Sequence, residues 1–476
     1  MARSARTKHK KSAQSLPARR AAKASRLGPG TTAGPRLASG VLKHPRLGLW
    51  LIGASGNVAA TVAVGLAALR RGLAAPTGLV TADPAFRPLG LVDPADIVLG
   101  GHDVRSQGVI ETARAMQSGS GVFGGGMLEA VAGDLAAFQK EIREGFSTSS
   151  SGSQADRPLA GSTKHRLATG ATRLGATAIQ AGASIVERLA NDIRDFAARN
   201  RCSRVVVINV ASTEPMIEPR PEHRSWEALL EALTRNSAIL PASSIYALAA
   251  ISARCPYVNF TPSTGVDIPA IVACAAKHRV PIMGRDGKTG ETLLKSALAP
   301  MFRHRALRVL SWDGHNILGN NDGAVLADPA VKAAKLRTKD SVAAKALGYD
   351  LDTSVSIQHV PSLDDWKIAW DHVHFEGFLG VKMSLQFTWQ GCDSILAAPL
   401  VIDLARLAEF HARTGQAGLM SHLACFLKRP MGCDEAGLSA QMDLLARYVA
   451  ENSGANERGG ARKSGVRVKR RGGGRS

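Results

Sequence analysis

From Leu47 to Ile52 the chain is apolar, and Gly53-Ala54-Ser55-Gly56-Asn57 separates that run from an Ala-, Val- and Leu-rich stretch ending at Arg71. A short apolar run closed by glycines predicts a buried strand, and the longer stretch behind it predicts a helix. Asp96 to Leu99 predicts a second strand, ending in Gly100-Gly101-His102-Asp103, and Val205 to Val210 a third, ending in Ala211-Ser212-Thr213-Glu214. Between them, Phe146 to Lys164 is rich in Ser, Gly and Thr and predicts a surface loop. Ala178 to Asn200 returns to helical spacing, with Ile179, Ile185, Leu189, Ile193 and Phe196 on one face. Tyr257 to Phe260, Ala306 to Ser311 and Ser354 to Val360 are further short β-like runs. Strand and helix alternate in the opening and closing sections, which points to an α/β fold.

Charge is distributed unevenly along this pattern. Residues 1–47 hold twelve Lys and Arg and no acid, and residues 453–476 hold eight against Glu457 alone, so the two ends carry most of the formal net charge of +21. The body is near neutral, and the high pI says little about its fold or ligand. Both ends are poor in large apolar residues and are expected to be disordered, as tails over residues 1–46 and 453–476. Non-specific contact with nucleic acid or acidic surfaces, no function at all, or an organellar transit peptide at the N-terminus are the competing readings of them. No apolar window reaches the ~18 residues of a membrane span, so a soluble, cytoplasmic protein is expected. The six cysteines show no metal-type spacing and read as free thiols of a reducing compartment, and the histidines form no zinc-type cluster. No metal site is expected.

The candidate chemistry lies in the glycine turn and in a lysine-rich stretch. Glycines behind a strand let a backbone approach a pyrophosphate, which then meets the free amides of the following helix. The turn here is not a full G-x-G-x-x-G, and a purely structural glycine turn is the equal alternative. Polar residues at the carboxyl ends of the other strands are either ligand contacts or ordinary helix caps. From Gly284 to Lys339, Lys288, Lys295, Lys335 and Lys339 bracket the turn Leu318-Gly319-Asn320-Asn321-Asp322-Gly323. Amines converging on one pocket suit a phosphorylated substrate that develops charge on oxygen; solvated lysines on one helical face are the bland alternative. Lys335 and Lys339 share a face if Lys332 to Lys345 is a helix, and the spacing of Lys288 and Lys295 would put them on one face as well.

Taken together and in order, these motifs resemble the myo-inositol-1-phosphate synthase (inositol-3-phosphate synthase) family. The likeness runs from Leu47 to Pro430. It is carried by the turn Gly53 to Asn57, Asp96 to Asp103, Ala211 to Glu214, Cys255 to Asn259 with Thr261-Pro262, Gly284 to Gly290, Leu294 to Ser296, His315 to Gly323, Leu363 to Lys367 and Cys392 to Pro399. The resemblance implies an isomerase in which NAD oxidises glucose 6-phosphate at C5. Enolisation and an intramolecular aldol closure follow, and re-reduction yields 1D-myo-inositol 3-phosphate for inositol and phospholipid biosynthesis. It also implies Lys288, Lys295, Lys335, Lys339, Asp365 and Lys367 as catalytic residues. For the cofactor it implies Gly53, Ala54, Ser55, Gly56, Asn57, Asp103, Ala211, Ser212, Thr213, Asp393 and Ser394. Lys295 and Lys339 are expected near the ring oxygens and Lys288 and Lys335 near the phosphate. Asp365 would orient an ammonium or relay a proton, or else cap a helix before Trp366, and Asp267 would lie in a segment closing over the substrate.

The resemblance further implies a Rossmann-like domain from residues 47–250 and 365–452, with residues 251–364 inserted as an α+β catalytic and tetramerisation domain. The sequence departs from the family pattern at Leu293 and Leu294 before Lys295, at Glu291, at Gly284-Arg285-Asp286 and at Ser212. It also lacks a lysine after Phe410, where Arg413 or Lys428 stands as a substitute cation. A different NAD-dependent sugar-phosphate oxidoreductase, or a nucleic-acid-binding protein acting through its tails, are the alternatives.

Overall fold

The computed structural model describes residues 46–148, 181–235, 239–319 and 342–454. The large sheet has seven strands: β1 (Arg46–Ile52), β2 (Ile97–Asp103), β3 (Ile142–Glu144), β4 (Cys202–Asn209), β5 (Tyr257–Asn259), β6 (Pro281–Gly284) and, after the second sheet, β11 (Gly418–Leu419). Their order across the sheet is β11-β6-β5-β4-β1-β2-β3, and every neighbouring pair is parallel. This is a doubly wound, Rossmann-like arrangement whose order reverses between β1 and β4.

Two cores lie on the two faces of this sheet. One gathers Leu49, Leu51, Val206 and Ile208 beneath α1 (Asn57–Arg70), α2 (Val109–Ser120), α3 (Met127–Lys140) and, from the end of the chain, the helices Asp393–Arg413 and Leu438–Asn452. The other gathers Trp50, Val205, Val207 and Tyr257 beneath α4 (Ala181–Arg199), α5 (Trp226–Arg235), α6 (Ala242–Ser252) and α7 (Pro269–Lys277). Helix α1 is Ala-rich because it is walled in on almost every side, so a narrow apolar stripe would not suffice. Leu189, Ile193 and Phe196 of α4 are buried as the periodicity predicts, while Ile179 lies outside the described residues.

The glycines of the second strand have a packing role. Gly100 and Gly101 were expected to end that strand, yet both lie inside β2. A Cβ on Gly100 would meet the Phe196 ring at 2.7 Å, and one on Gly48 in β1 would meet it at 2.8 Å. Two side-chain-free positions on adjacent strands thus make the slot for one aromatic ring from α4.

After β6, helix α8 (Gly290–His304) leads into a four-stranded sheet, β7 (Arg308–Leu318), β8 (Asp352–His359), β9 (Trp366–Glu376) and β10 (Lys382–Cys392). The order is β10-β9-β7-β8, with the β7–β8 pair parallel and the others antiparallel. Phe302 of α8 packs its ring on Trp312 and Phe375, which seats the helix on one face of this sheet. Helix α9 (Asp393–Arg413) then returns to pack on α1, and α10 (Leu438–Asn452) follows.

Two placements differ from the sequence expectation. Tyr257 to Asn259 belongs to the large sheet, because β5 pairs in register with β4 (Val207 opposite Tyr257), not to an inserted sheet. Residues 366–392 do not rejoin the large sheet, because β9 and β10 form a hairpin with each other. Alternation of apolar residues announces a strand without naming its partner. Arg46, expected in the N-terminal tail, instead opens β1 because it pairs with Cys202 of β4, while residues 1–45 and 455–476 of the tails and the 149–164 part of the expected surface loop lie outside the described residues.

Removing the ring that fills the glycine slot should be costly. Phe196→Ala is expected to lower unfolding stability by about 3–5 kcal/mol in chemical denaturation, with the slope against denaturant unchanged.

Candidate active site

The large sheet reverses its strand order between β1 and β4, and the glycine turn sits there. Gly53 has φ of +87°, and a Cβ on it would stand 2.7 Å from the Cα of Ala211, in the turn after β4. Only glycine allows both the left-handed conformation and that approach. The Gly53 and Ala54 amides donate to the His102 carbonyl at 2.9 and 3.1 Å, fixing the turn against the end of β2. Gly56 N-caps helix α1 with no side-chain cap, and the first turn holds no acid, so the leading amides and positive dipole end are not satisfied by the helix's own side chains. At the end of β2, the Asp103 carboxylate accepts the Ser55 amide at 2.7 Å. Thr213 is buried and Ser212 exposed beyond β4. Uncapped amides behind a close-packed glycine turn, with a carboxylate at the end of the next strand, fit the pyrophosphate and ribose of a dinucleotide.

Asp365 connects this turn to the second sheet. Its Oδ1 accepts the Asn57 side-chain amide at 3.0 Å and the Ser394 hydroxyl at 3.0 Å. Its Oδ2 accepts the Ser394 amide at 3.1 Å and the Cys392 thiol at 2.9 Å. Asp365 therefore caps α9; Trp366 opens a strand, not the helix that Asp365 was expected to cap. Its side-chain partners among the described residues include no lysine. Asp393, beside Ser394, accepts the Thr289 hydroxyl at 3.3 Å and brings the lysine-rich loop to the same place.

That loop, residues 284–291, is held by backbone bonds on both sides. The Asp286 and Gly287 amides donate to the Thr261 and Phe260 carbonyls, and the Arg285 and Lys288 amides to the Arg429 and Phe426 carbonyls. Gly287 is required here, since a Cβ would stand 2.1 Å from the Phe260 ring. Helix α8 starts only at Gly290, so Lys288 precedes it and does not share a helical face with Lys295. Lys288 Nζ donates to Gln441 Oε1 on α10. Burial lowers its pKa to about 8, and only the neighbouring Cys425 and Cys433 oppose that shift.

Lys295 faces the second sheet. Its ammonium, about 2% exposed, lies 2.7 Å from Glu291 Oε1 and 3.8 Å from Asp371 Oδ1. Trp312 Nε1 donates to the same Asp371 oxygen at 2.8 Å, and the ammonium stands 5.8 Å from the Trp312 ring centroid. Lys367 is buried on β9, with its Nζ 4.0 Å from where a Gly290 Cβ would be. Lys335, Lys339 and the turn residues 320–323 lie outside the described residues.

The substituted positions have partners. Arg285 pairs with Asp267 at 3.0 Å, and Lys428 pairs with Asp286 at 2.8 Å with both side chains buried. Of the two candidate replacement cations, Lys428 is the one that contacts this loop; Arg413 pairs with Glu409 and stacks on Phe410. Asp371 was not anticipated. Its signal was present in the alternation of β9, where Lys367, Ala369, Asp371 and Val373 are the buried set and an acid repeats among apolar positions.

Comparisons with known proteins agree with this geometry. An NAD-binding family model described as myo-inositol-1-phosphate synthase matches residues 47–449. Inositol-3-phosphate synthase 1 of Bacteroides thetaiotaomicron is 36% identical over 409 residues, covering 81% of this chain and 90% of that protein. The Candida glabrata inositol-3-phosphate synthase is 31% identical over 276 residues, about half of each chain (52% and 51%). Among solved structures, the inositol-3-phosphate synthase of Caenorhabditis elegans superposes with a TM-score of 0.73 at 24% identity over 87% of each chain. A myo-inositol-1-phosphate synthase-related protein from Thermotoga maritima gives a TM-score of 0.65 at 22% identity, covering 85% of this chain and 98% of that one. At such identities the superpositions speak for the fold.

The Lys288 environment has a measurable pH consequence. Its folded-state pKa, about 8, lies below the 10.5 of a free lysine, so the group favours folding most above pH 10.5, and that advantage is lost as the pH falls through about 8. Lys288→Met should therefore gain about 2 kcal/mol of stability relative to the parent chain between about pH 10 and about pH 8, measured by denaturant unfolding at each pH.

Proposed function

The chain belongs to the myo-inositol-1-phosphate synthase family, and on that premise we propose that it is an inositol-3-phosphate synthase, an isomerase converting D-glucose 6-phosphate to 1D-myo-inositol 3-phosphate. NAD is its cofactor, and in this reading it is regenerated within each turnover. The dinucleotide, when bound, supplies the reversible two-electron oxidation of the sugar phosphate. Everything else is asked of the protein's own side chains.

The observation that carries the reading is Lys295, a buried ammonium pinned by Glu291 and Asp371 at the start of α8. Enolisation and aldol closure both develop charge on oxygen, which a preorganised ammonium in a dry site stabilises strongly. Lys295 and Lys339 are assigned to the ring oxygens and Lys288 and Lys335 to the phosphate, with Lys367 and Lys428 as further cations. Lys288, whose ammonium is opposed by desolvation, would take up its proton most readily beside a phosphate dianion. Asp365 is a positioning residue, since it holds Asn57 and the start of α9 together. The dinucleotide is assigned to Gly53 through Asn57, Asp103, Ala211, Ser212, Thr213, Asp393 and Ser394. The cofactor domain would combine residues 46–284 with 393–452, and the four-stranded sheet would belong to the catalytic domain.

Self-association is part of the same proposal. The tip between β9 and β10 exposes Phe378 (89%), Leu379 (83%) and Val381 (55%), apolar surface that supports pairing of subunits into a tetramer. Among the described residues no helix is long and apolar enough to cross a membrane. The cysteines are free thiols, which supports a reducing cytoplasm as the setting.

Phosphorus NMR of the protein with glucose 6-phosphate and catalytic NAD should show an inositol phosphate resonance while NADH absorbance stays flat. Accumulating NADH would instead mark a net dehydrogenase. Lys295→Ala should reduce turnover by at least about a thousandfold with NAD still bound; near-normal turnover in that variant would remove Lys295 from the chemistry.

A further inference from the structure

We propose that Arg105 sets cofactor selectivity and lets this chain accept the 2′-phosphorylated dinucleotide, NADP, as well as NAD. The inference rests on the dinucleotide site assigned above. Asp103 stands at the end of β2, where an acid accepts the hydroxyls of the adenosine ribose and, by its charge, repels a 2′-phosphate. In this chain that carboxylate does not face outward alone. Arg105, two residues on, donates its Nε to Asp103 Oδ1 at 3.2 Å and its Nη2 to Oδ2 at 3.1 Å, and its own amide reaches Oδ1 at 2.8 Å. With the Ser55 amide on Oδ2 at 2.7 Å, both oxygens of Asp103 are engaged.

Two consequences follow from the fork. The bidentate guanidinium neutralises the acid at short range, so the repulsion that excludes a 2′-phosphate is largely cancelled. Arg105 also keeps donors in reserve, because Nη1 has no partner among the described residues. Its side chain is 23% exposed against 4% for Asp103, so the arginine stands on the solvent side of the acid. Nη2 also lies 3.3 Å from where a Gly56 Cβ would be, at the first turn of α1. An arginine bridging a ribose-end carboxylate and the helix N-terminus can hold a phosphate on Nη1 without releasing Asp103.

Equilibrium binding of NAD and of NADP to the full chain, followed by calorimetry, tests the idea directly. The parent chain should bind NADP within about tenfold of NAD. Arg105→Ser should move the preference about tenfold to a hundredfold against NADP, and Arg105→Lys, which keeps the charge but not the fork, should fall between them. An unchanged thermal midpoint would show that the variants are folded. If NAD binds but NADP is weaker by more than about a thousandfold, or if Arg105→Ser weakens both nucleotides equally, Arg105 does not set selectivity and the inference is overturned while the cofactor site stands. If neither nucleotide binds the parent chain, the cofactor site itself is wrong and the inference falls with it.

Discussion

The carboxylate of Asp365 is the constraint on which the junction between the two sheets depends. It accepts donors from Asn57, Cys392 and Ser394, positions that are far from it in sequence and that belong to the glycine-turn helix, the end of β10 and the start of α9. The Asp365 amide in turn donates to Ser120 Oγ at the end of α2. Both ends of the β9–β10 hairpin are thereby fixed to the cofactor turn. A buried carboxylate that accepts this many donors is directional, so it sets geometry as well as burying chain. In the proposed reaction the lysines must stand at a fixed distance from a bound dinucleotide, and this knot ties the sheet that carries Lys367 to the glycine turn.

Around residues 284–291 the same logic is repeated with charges of both signs. Arg285 faces Asp267, Asp286 faces Lys428, and Glu291 faces Lys295. The Asp286–Lys428 and Glu291–Lys295 pairs are buried on both sides and give little net stability, because desolvation offsets most of the attraction, but they fix the orientation of each group; Asp267 stands exposed at the rim. Lys288 is the exception, since its ammonium donates to the neutral side-chain carbonyl oxygen of Gln441. The loop and the helix behind it thus carry two kinds of lysine: Lys295, compensated by acids, and Lys288, whose charge is opposed by burial.

Much of this was legible in the sequence, for reasons specific to each element. The turn at Gly53, the apolar strand before it and the face of α4 bearing Leu189, Ile193 and Phe196 are local patterns, and local patterns survive without tertiary context. The family motifs located the lysines, but not their neighbours. That Lys288 turns toward α10 while Lys295 turns toward β9 follows from Gly290, whose positive φ of +55° and helix-starting position separate them. Strand partnership was less legible still. Tyr257 to Asn259 is too short to declare its sheet, and only pairing with β4 places it. The glycines at positions 100 and 101 looked like a loop because the ring that requires one of them, Phe196, is almost a hundred residues away.

The Arg285–Asp267 pair bears on how this sequence can drift. Arg285 stands where the sequence departs from the family pattern, and it is matched by a carboxylate from a different segment. Exchanging Arg285 for an acid by itself would take this guanidinium away from Asp267 and set a second carboxylate next to Asp286 in the chain. The effect of either residue therefore depends on which partner is present, so the two positions are epistatic and their separate substitution effects should not add. A residue grafted singly at position 285 therefore arrives without its counterpart at position 267.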